Sequence, residues 1–207
     1  CMLLSVSDLS VSRGGRVLLE GVAFDVQAGQ AILLSGKNGI GKTSLLRTLA
    51  GLQQANSGQI DVPQNAVVYS AHLDGIKQAL SVVENLQFWG AVFGRSNLDA
   101  ALETFELGDL RDELAGALSA GQKRRLGLAR LLMSGRSIWL LDEPTVSLDL
   151  ASVSRLSRVV SGHLAAGGAA IIATHATLDL NGQETTIDLG KFATTKSNLA
   201  ASEKAFL

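Results

Sequence analysis

A single cysteine, at the first position of the 207-residue chain, rules out any internal disulfide and fits a reducing compartment. Because it precedes Met2, we read Cys1 as the trace of an upstream start or of added sequence rather than a functional thiol. Net charge is almost absent too. Lys and Arg number 18 against 19 Asp and Glu, leaving −1, which argues against nucleic acid as an electrostatic target. The N-terminus has no charged region followed by an apolar core, so nothing there marks the chain for export. Residues 159–178 lack Asp, Glu, Lys and Arg for 20 positions, long enough to span a bilayer. His163, His175 and the pair Gly167-Gly168 interrupt the stretch, so a helix end and a short strand are expected instead of a span. No repeat, low-complexity tract or linker breaks the chain.

What is present is apolar material in quantity. Hydrophobic residues make up 46% and the mean hydropathy is +0.25, enough for a sizeable core and some apolar surface for a partner. The length suits one domain over 1–207 with a subdomain inside it. Alternation over Leu3 to Leu9 and Val17 to Val26, around Gly14-Gly15, predicts an antiparallel β layer. Short strands are expected at Gly58 to Val62 and Ala66 to Ser70, either side of Pro63. A helical block follows, with helices near Ser81 to Phe93, Asn97 to Leu107 and Ala120 to Met133. The pattern ends on a strand at Ile138 to Leu141, a helix at Leu150 to Ala165 and a strand at Ala169 to Ala173. This is an α/β reading: a parallel core, an N-terminal antiparallel layer and an inserted helical subdomain at about 73–135. The basic cluster Lys123-Arg124-Arg125, with Arg130 beyond, falls in an expected helix and reads as a solvated face.

Gly36-Lys37-Asn38-Gly39-Ile40-Gly41-Lys42-Thr43 fits the phosphate-loop pattern G-x-x-x-x-G-K-[ST], between the apolar run Ala31 to Leu34 and a helix-like segment from Ser44. Glycines let the backbone curl around oxyanions, Lys42 supplies a point charge, and the helix behind it offers its N-terminal N–H groups. Thr43 offers a hydroxyl to Mg2+, and Ser44 completes the set expected to bind nucleotide. About a hundred residues on, Ile138-Trp139-Leu140-Leu141 runs into Asp142 and Glu143. Carboxylates there stand at the carboxyl edge of a parallel sheet, where Asp142 would orient the metal and Glu143 a water attacking phosphate. Leu118-Ser119-Ala120-Gly121-Gln122 opens a basic helix with a good N-cap, a second place for an anion.

With Ser147-Leu148-Asp149 and Thr174-His175, these motifs in this order resemble the ATP-binding-cassette (ABC) ATPases. The resemblance implies a P-loop NTPase fold, ATP and Mg2+, and a head-to-tail dimer in which Ser119, Gly121 and Gln122 of one copy face the γ-phosphate held by Lys42 of the other. It implies further that Glu143 is the base and His175 the switch histidine.

Two positions depart from that family. His72 stands 12 residues before Glu84-Asn85-Leu86, where most members carry glutamine, and is assigned a catalytic linking role. Arg13 stands near the place of an adenine-stacking ring. With Tyr69 to Lys77 and Glu84 to Trp89, these departures resemble the ATP-binding subunits of bacterial cytochrome c maturation. That implies a peripheral protein on the cytoplasmic face of the inner membrane, docked on CcmB-, CcmC- and CcmD-like membrane subunits, with Phe88, Trp89 and Phe93 as candidate docking residues or as core of the helical block. No Cys-x-x-Cys-His pattern occurs, so haem would be met only through partners. Two rival readings stay open: the ATPase of another small exporter, and a soluble ABC protein acting on ribosomes or DNA.

Overall fold

The structure is a computed structural model and describes residues 1–71, 75–95 and 97–194. Strand β1 (Met2–Arg13) turns back at Gly14-Gly15 into β2 (Arg16–Gln27), and β3 (Ala31–Ser35) leads through the glycine loop into helix α1 (Lys42–Leu49). Then come β4 (Ser57–Asp61), β5 (Val67–Ser70) and the helices α2 (Val82–Phe93), α3 (Leu98–Thr104) and α4 (Ala120–Ser134). The chain continues through β6 (Ile138–Asp142), α5 (Leu150–Ala165), β7 (Ala169–Ala173) and β8 (Glu184–Asp188) to a short 3-10 turn at Leu189–Phe192.

Two sheets result. β4 leaves its sequence neighbours to pair with β1, giving an antiparallel layer ordered β2-β1-β4. The other sheet runs β5-β6-β7-β3-β8 and is parallel throughout. Its inner strands are apolar on both faces, as a doubly covered parallel sheet requires. Because side chains alternate along a strand, Ile138 and Leu140, Ile32 and Leu34, and Ala169 and Ile171 face one core, shared with β1, β2 and the α1 residues Leu45, Leu46 and Leu49. Trp139 and Leu141, and Ala170 and Ile172, face the other, which they share with α2, α4 and α5 through Leu86, Leu128 and Leu156. The inserted helices therefore pack into the same apolar cluster as one sheet face.

Helix ends follow local chemistry. Ser81 caps α2 in a reciprocal box with Glu84, and Gly94 closes it in the left-handed conformation. The helix expected at Asn97 to Leu107 stops at Thr104, three residues short, and Phe105 and Leu107 reach the core from the turn that follows. Strand β8 escaped the sequence reading because it is a polar edge with no buried residue. Among the described residues no helix is long and apolar enough to cross a membrane, and the uncharged stretch 159–178 divides into the end of α5, strand β7 and the loop after it.

Candidate nucleotide site

Every strand that carries a motif ends at the same edge of the parallel sheet. β3 runs into the glycine loop, β6 ends on Asp142, and β7 delivers Thr174 and His175. The Glu143 N–H donates to Ala173 O at 2.8 Å, carrying the pairing of β6 with β7 one residue past the strand. Glu143 itself adopts a left-handed backbone (φ 48°), turning its side chain out of the sheet line.

The loop needs its glycines for shape. Gly36 (φ 142°) and Gly41 (φ 125°) lie where other side chains are strained, and a Cβ on either would come within 3.1 Å of Ile40 or Leu19. Gly41 also stands at the N-cap of α1 without a side-chain acceptor, so the first-turn N–H groups keep their capacity for an anion. Lys42 is 8% exposed, with its ammonium donating to Gly36 O at 2.8 Å inside the loop.

The acidic side faces it. The Thr43 hydroxyl donates to Asp142 Oδ1 at 3.1 Å, and the Tyr69 hydroxyl donates to Asp142 Oδ2 at 3.1 Å. Burial, and then the neighbouring Asp142 charge, raise the Tyr69 phenol above the usual tyrosine range, which keeps it a donor. His175 Nε2 lies 2.9 Å from Asn38 Oδ1, 3.4 Å from Lys42 Nζ and 3.5 Å from Glu143 Oε1. Lys42, Asn38, Glu143 and His175 thus converge on one point.

Beside that point lies a cavity of about 230 Å³, lined by the glycine loop, Asp142, Glu143, Arg13 and Leu18. A larger cavity, about 660 Å³, opens at the opposite edge of the sheet around Trp139 and His163, away from every phosphate-binding group. The smaller one suits a polyphosphate with a hard cation. It has a lysine and helix N–H groups for the anion, and a hydroxyl with one carboxylate for Mg2+, which takes few protein ligands beside substrate phosphates.

Gly36 to Ser44, Asp142, Glu143 and His175 are brought together. Ser119, Gly121 and Gln122 are not in that cavity. Ser119 accepts from Gln122 N at 3.2 Å and its own N–H donates to Gln122 Oε1 at 2.8 Å, a capping box at the start of α4. Gly121 lies under Ser147, whose carbonyl would be 3.1 Å from a Cβ there. His72 lies outside the described residues.

One expectation is corrected. The run Lys123-Arg124-Arg125 with Arg130 is not a solvated face: Arg124 is 3% exposed and donates to Ala71 O, Pro144 O and Glu143 O at 2.9, 3.2 and 2.8 Å. It ties α4 to the end of β6 and to the segment after β5. Arg130 donates to Tyr69 O at 2.9 Å and lies 4.7 Å from the Trp89 ring centroid. Phe88, at 38% exposure, stays at the surface, while Trp89 and Phe93 stack 6.0 Å apart against the core.

The family profile of the ABC transporters matches residues 19–146. A protein of Roseobacter denitrificans named cytochrome c biogenesis ATP-binding export protein CcmA is 56% identical over 207 residues, covering 100% of both chains. The chain belongs to the ABC transporter ATP-binding family. The CcmA protein of Paracoccus denitrificans is 57% identical over 190 residues, covering 92% of this chain and 90% of its own. Among solved structures, an ABC transporter ATP-binding protein from Pyrococcus furiosus superposes with a TM-score of 0.81 at 29% identity, covering 92% of this chain and 99% of that one. The α/β architecture is accordingly that of an ABC ATPase, and as a member of that family the chain binds and hydrolyses ATP.

Proposed function

We propose that this ABC ATPase powers cytochrome c maturation from the cytoplasmic face of a bacterial inner membrane. What carries the ATPase part of the reading is the convergence of Lys42, Asn38 and Glu143 within 3.5 Å of His175 at the motif-bearing sheet edge. The pathway rests on relatives of the same length that bear the CcmA name.

In this reading the chain is one domain with its helical subdomain at about 73–135, and each residue has a task. Lys42 leaves Gly36 O and, with the loop N–H groups of 36–44, holds the β- and γ-phosphates. Thr43 and Asp142 would hold Mg2+, which when bound offsets phosphate charge. Glu143 accepts a proton from the attacking water, and His175, anchored on Asn38, keeps that water and the γ-phosphate in line. Arg13 and Leu18 line the open side, where the base would rest. Ser119, Gly121 and Gln122 serve the nucleotide of a second copy bound head to tail, and His72 links the site to the membrane subunits. Those subunits are CcmB-, CcmC- and CcmD-like, haem is met through them alone, and nucleic acid is no partner.

The test is genetic. In a bacterium whose own CcmA gene is deleted, this chain restores haem-stained c-type cytochromes and its Glu143→Gln variant does not, while b-type spectra persist in both. Normal c-type cytochromes with the expressed, assembled variant would move the chain to another small exporter.

A further inference from the structure

We infer that Tyr69 is a positioning residue that sets the affinity of the site for its divalent cation by fixing the Asp142 carboxylate. The inference rests on the assignment of Thr43 and Asp142 to the metal.

The geometry comes from strand register. Tyr69 on β5 pairs with Leu140 on β6 and packs into the same core as Leu140. Side chains two residues apart share a strand face, so Asp142 points the same way as Leu140. The phenol spans one strand spacing and two residues, and its hydroxyl meets Asp142 Oδ2 at 3.1 Å. Its base is pinned as well: Tyr69 O accepts from Arg130 at 2.9 Å, and β5 is laddered to β6 from Val67 to Ser70.

Asp142 is 3% exposed, so little water reaches its carboxylate, and hydroxyl donors hold it from two sides. These donors are not equivalent. The Thr43 hydroxyl is itself a cation ligand in the reading above, one that would coordinate through a lone pair while its hydrogen stays on Oδ1, so removing it would alter the metal's own ligand set. The Tyr69 bond has no such competing duty and keeps Asp142 in one orientation with or without metal. Outer-shell partners of this kind change metal affinity by about 10–100-fold when removed. A packing role alone would not do so.

The experiment compares the wild-type chain with Tyr69→Phe, which keeps the ring and removes only the hydroxyl. Mn2+ binding is titrated by electron paramagnetic resonance in the presence of a non-hydrolysable ATP analogue, and nucleotide binding is measured separately in chelator. The expected result is roughly ten-fold weaker Mn2+ binding with metal-free nucleotide affinity within about two-fold of wild type, and a raised Mg2+ requirement for turnover with kcat recovered at saturating Mg2+. Unchanged Mn2+ affinity would overturn the inference, as would an equal loss of nucleotide affinity in chelator, which would mean a disturbed phosphate loop. Failure of the wild-type chain itself to take up Mn2+ with the analogue would instead remove the metal assignment of Thr43 and Asp142.

Discussion

Lys42 and Glu143 bring opposite charges to His175, yet they bear on different stages of the reaction. In the proposed reading the ammonium would meet phosphate that is fully charged before anything happens, whereas the carboxylate would matter when water loses its proton. Lys42→Ala is therefore expected to weaken ATP binding by about ten-fold or more, the value of one charge-assisted hydrogen bond. Glu143→Gln keeps shape and binding but lowers turnover by roughly 100-fold or more. Titration with a fluorescent ATP analogue and a phosphate-release assay separate the two, and equal loss of affinity in both variants would remove Glu143 as the base. The sequence singles out these residues as candidates because they sit in motifs of recognisable spacing. It did not show Arg124 or Tyr69. An arginine beside Lys123 and Arg125 reads as surface, and only the fold shows it buried among the carbonyls of Ala71, Glu143 and Pro144. In the sequence Tyr69 stands out only within the segment Tyr69 to Lys77, since its partner Asp142 lies 73 residues away and is reached across a strand pairing.

Elements were legible where periodicity was strong. Helix α5 and strand β7 lie at the bounds read from pattern, Leu150–Ala165 and Ala169–Ala173. Strand β8 was not, because an edge needs no apolar run, and the pairing of β4 with β1 is a tertiary choice that no local signal carries. The seam between α5 and β6 also holds a titrating group. The His163 ring stacks on Trp139 at 3.9 Å and its Nε2 lies 3.1 Å from Ser137 O and 3.3 Å from Ala169 O. Burial holds this imidazole below its ordinary value of 6.5, against the weaker pull of those carbonyls. As pH falls through 6.5 the unfolded chain takes up a proton that the folded chain resists. The unfolded state then binds more protons, so stability falls with pH in that window and is complete above it. We expect the melting temperature to decline between about pH 7.5 and 5.5, and His163→Phe, which can still stack on Trp139, to flatten that slope whatever its constant offset. An identical slope in the variant, measured by circular dichroism melting, would mean that His163 is not the group responsible.

On the scale of the molecule, the nucleotide motifs of one chain fall into two groups that do not share a cavity. The phosphate loop, Asp142, Glu143 and His175 form one, while Ser119 and Gly121 open α4 outside that cavity, with Gly121 against the Ser147 loop. Beside that loop the chain leaves Val146 39% and Leu150 89% exposed, apolar groups that a monomer gains nothing by showing to water. A second copy turned head to tail would cover them and bring its own Ser119 to the nucleotide. The purified chain is then expected to hydrolyse ATP slowly, with specific activity that rises with protein concentration, because the productive species is a dimer held partly by nucleotide. Ser119→Arg should remove that rise while leaving ATP binding by the isolated chain within about two-fold of wild type, since the substituted residue lies outside the chain's own cavity. Phosphate release measured across a hundred-fold dilution series, with size-exclusion chromatography of Glu143→Gln in ATP, reads both effects. Turnover per chain that stays constant on dilution, from a species eluting as a monomer, would overturn the composite site and place all of the catalytic groups within a single copy.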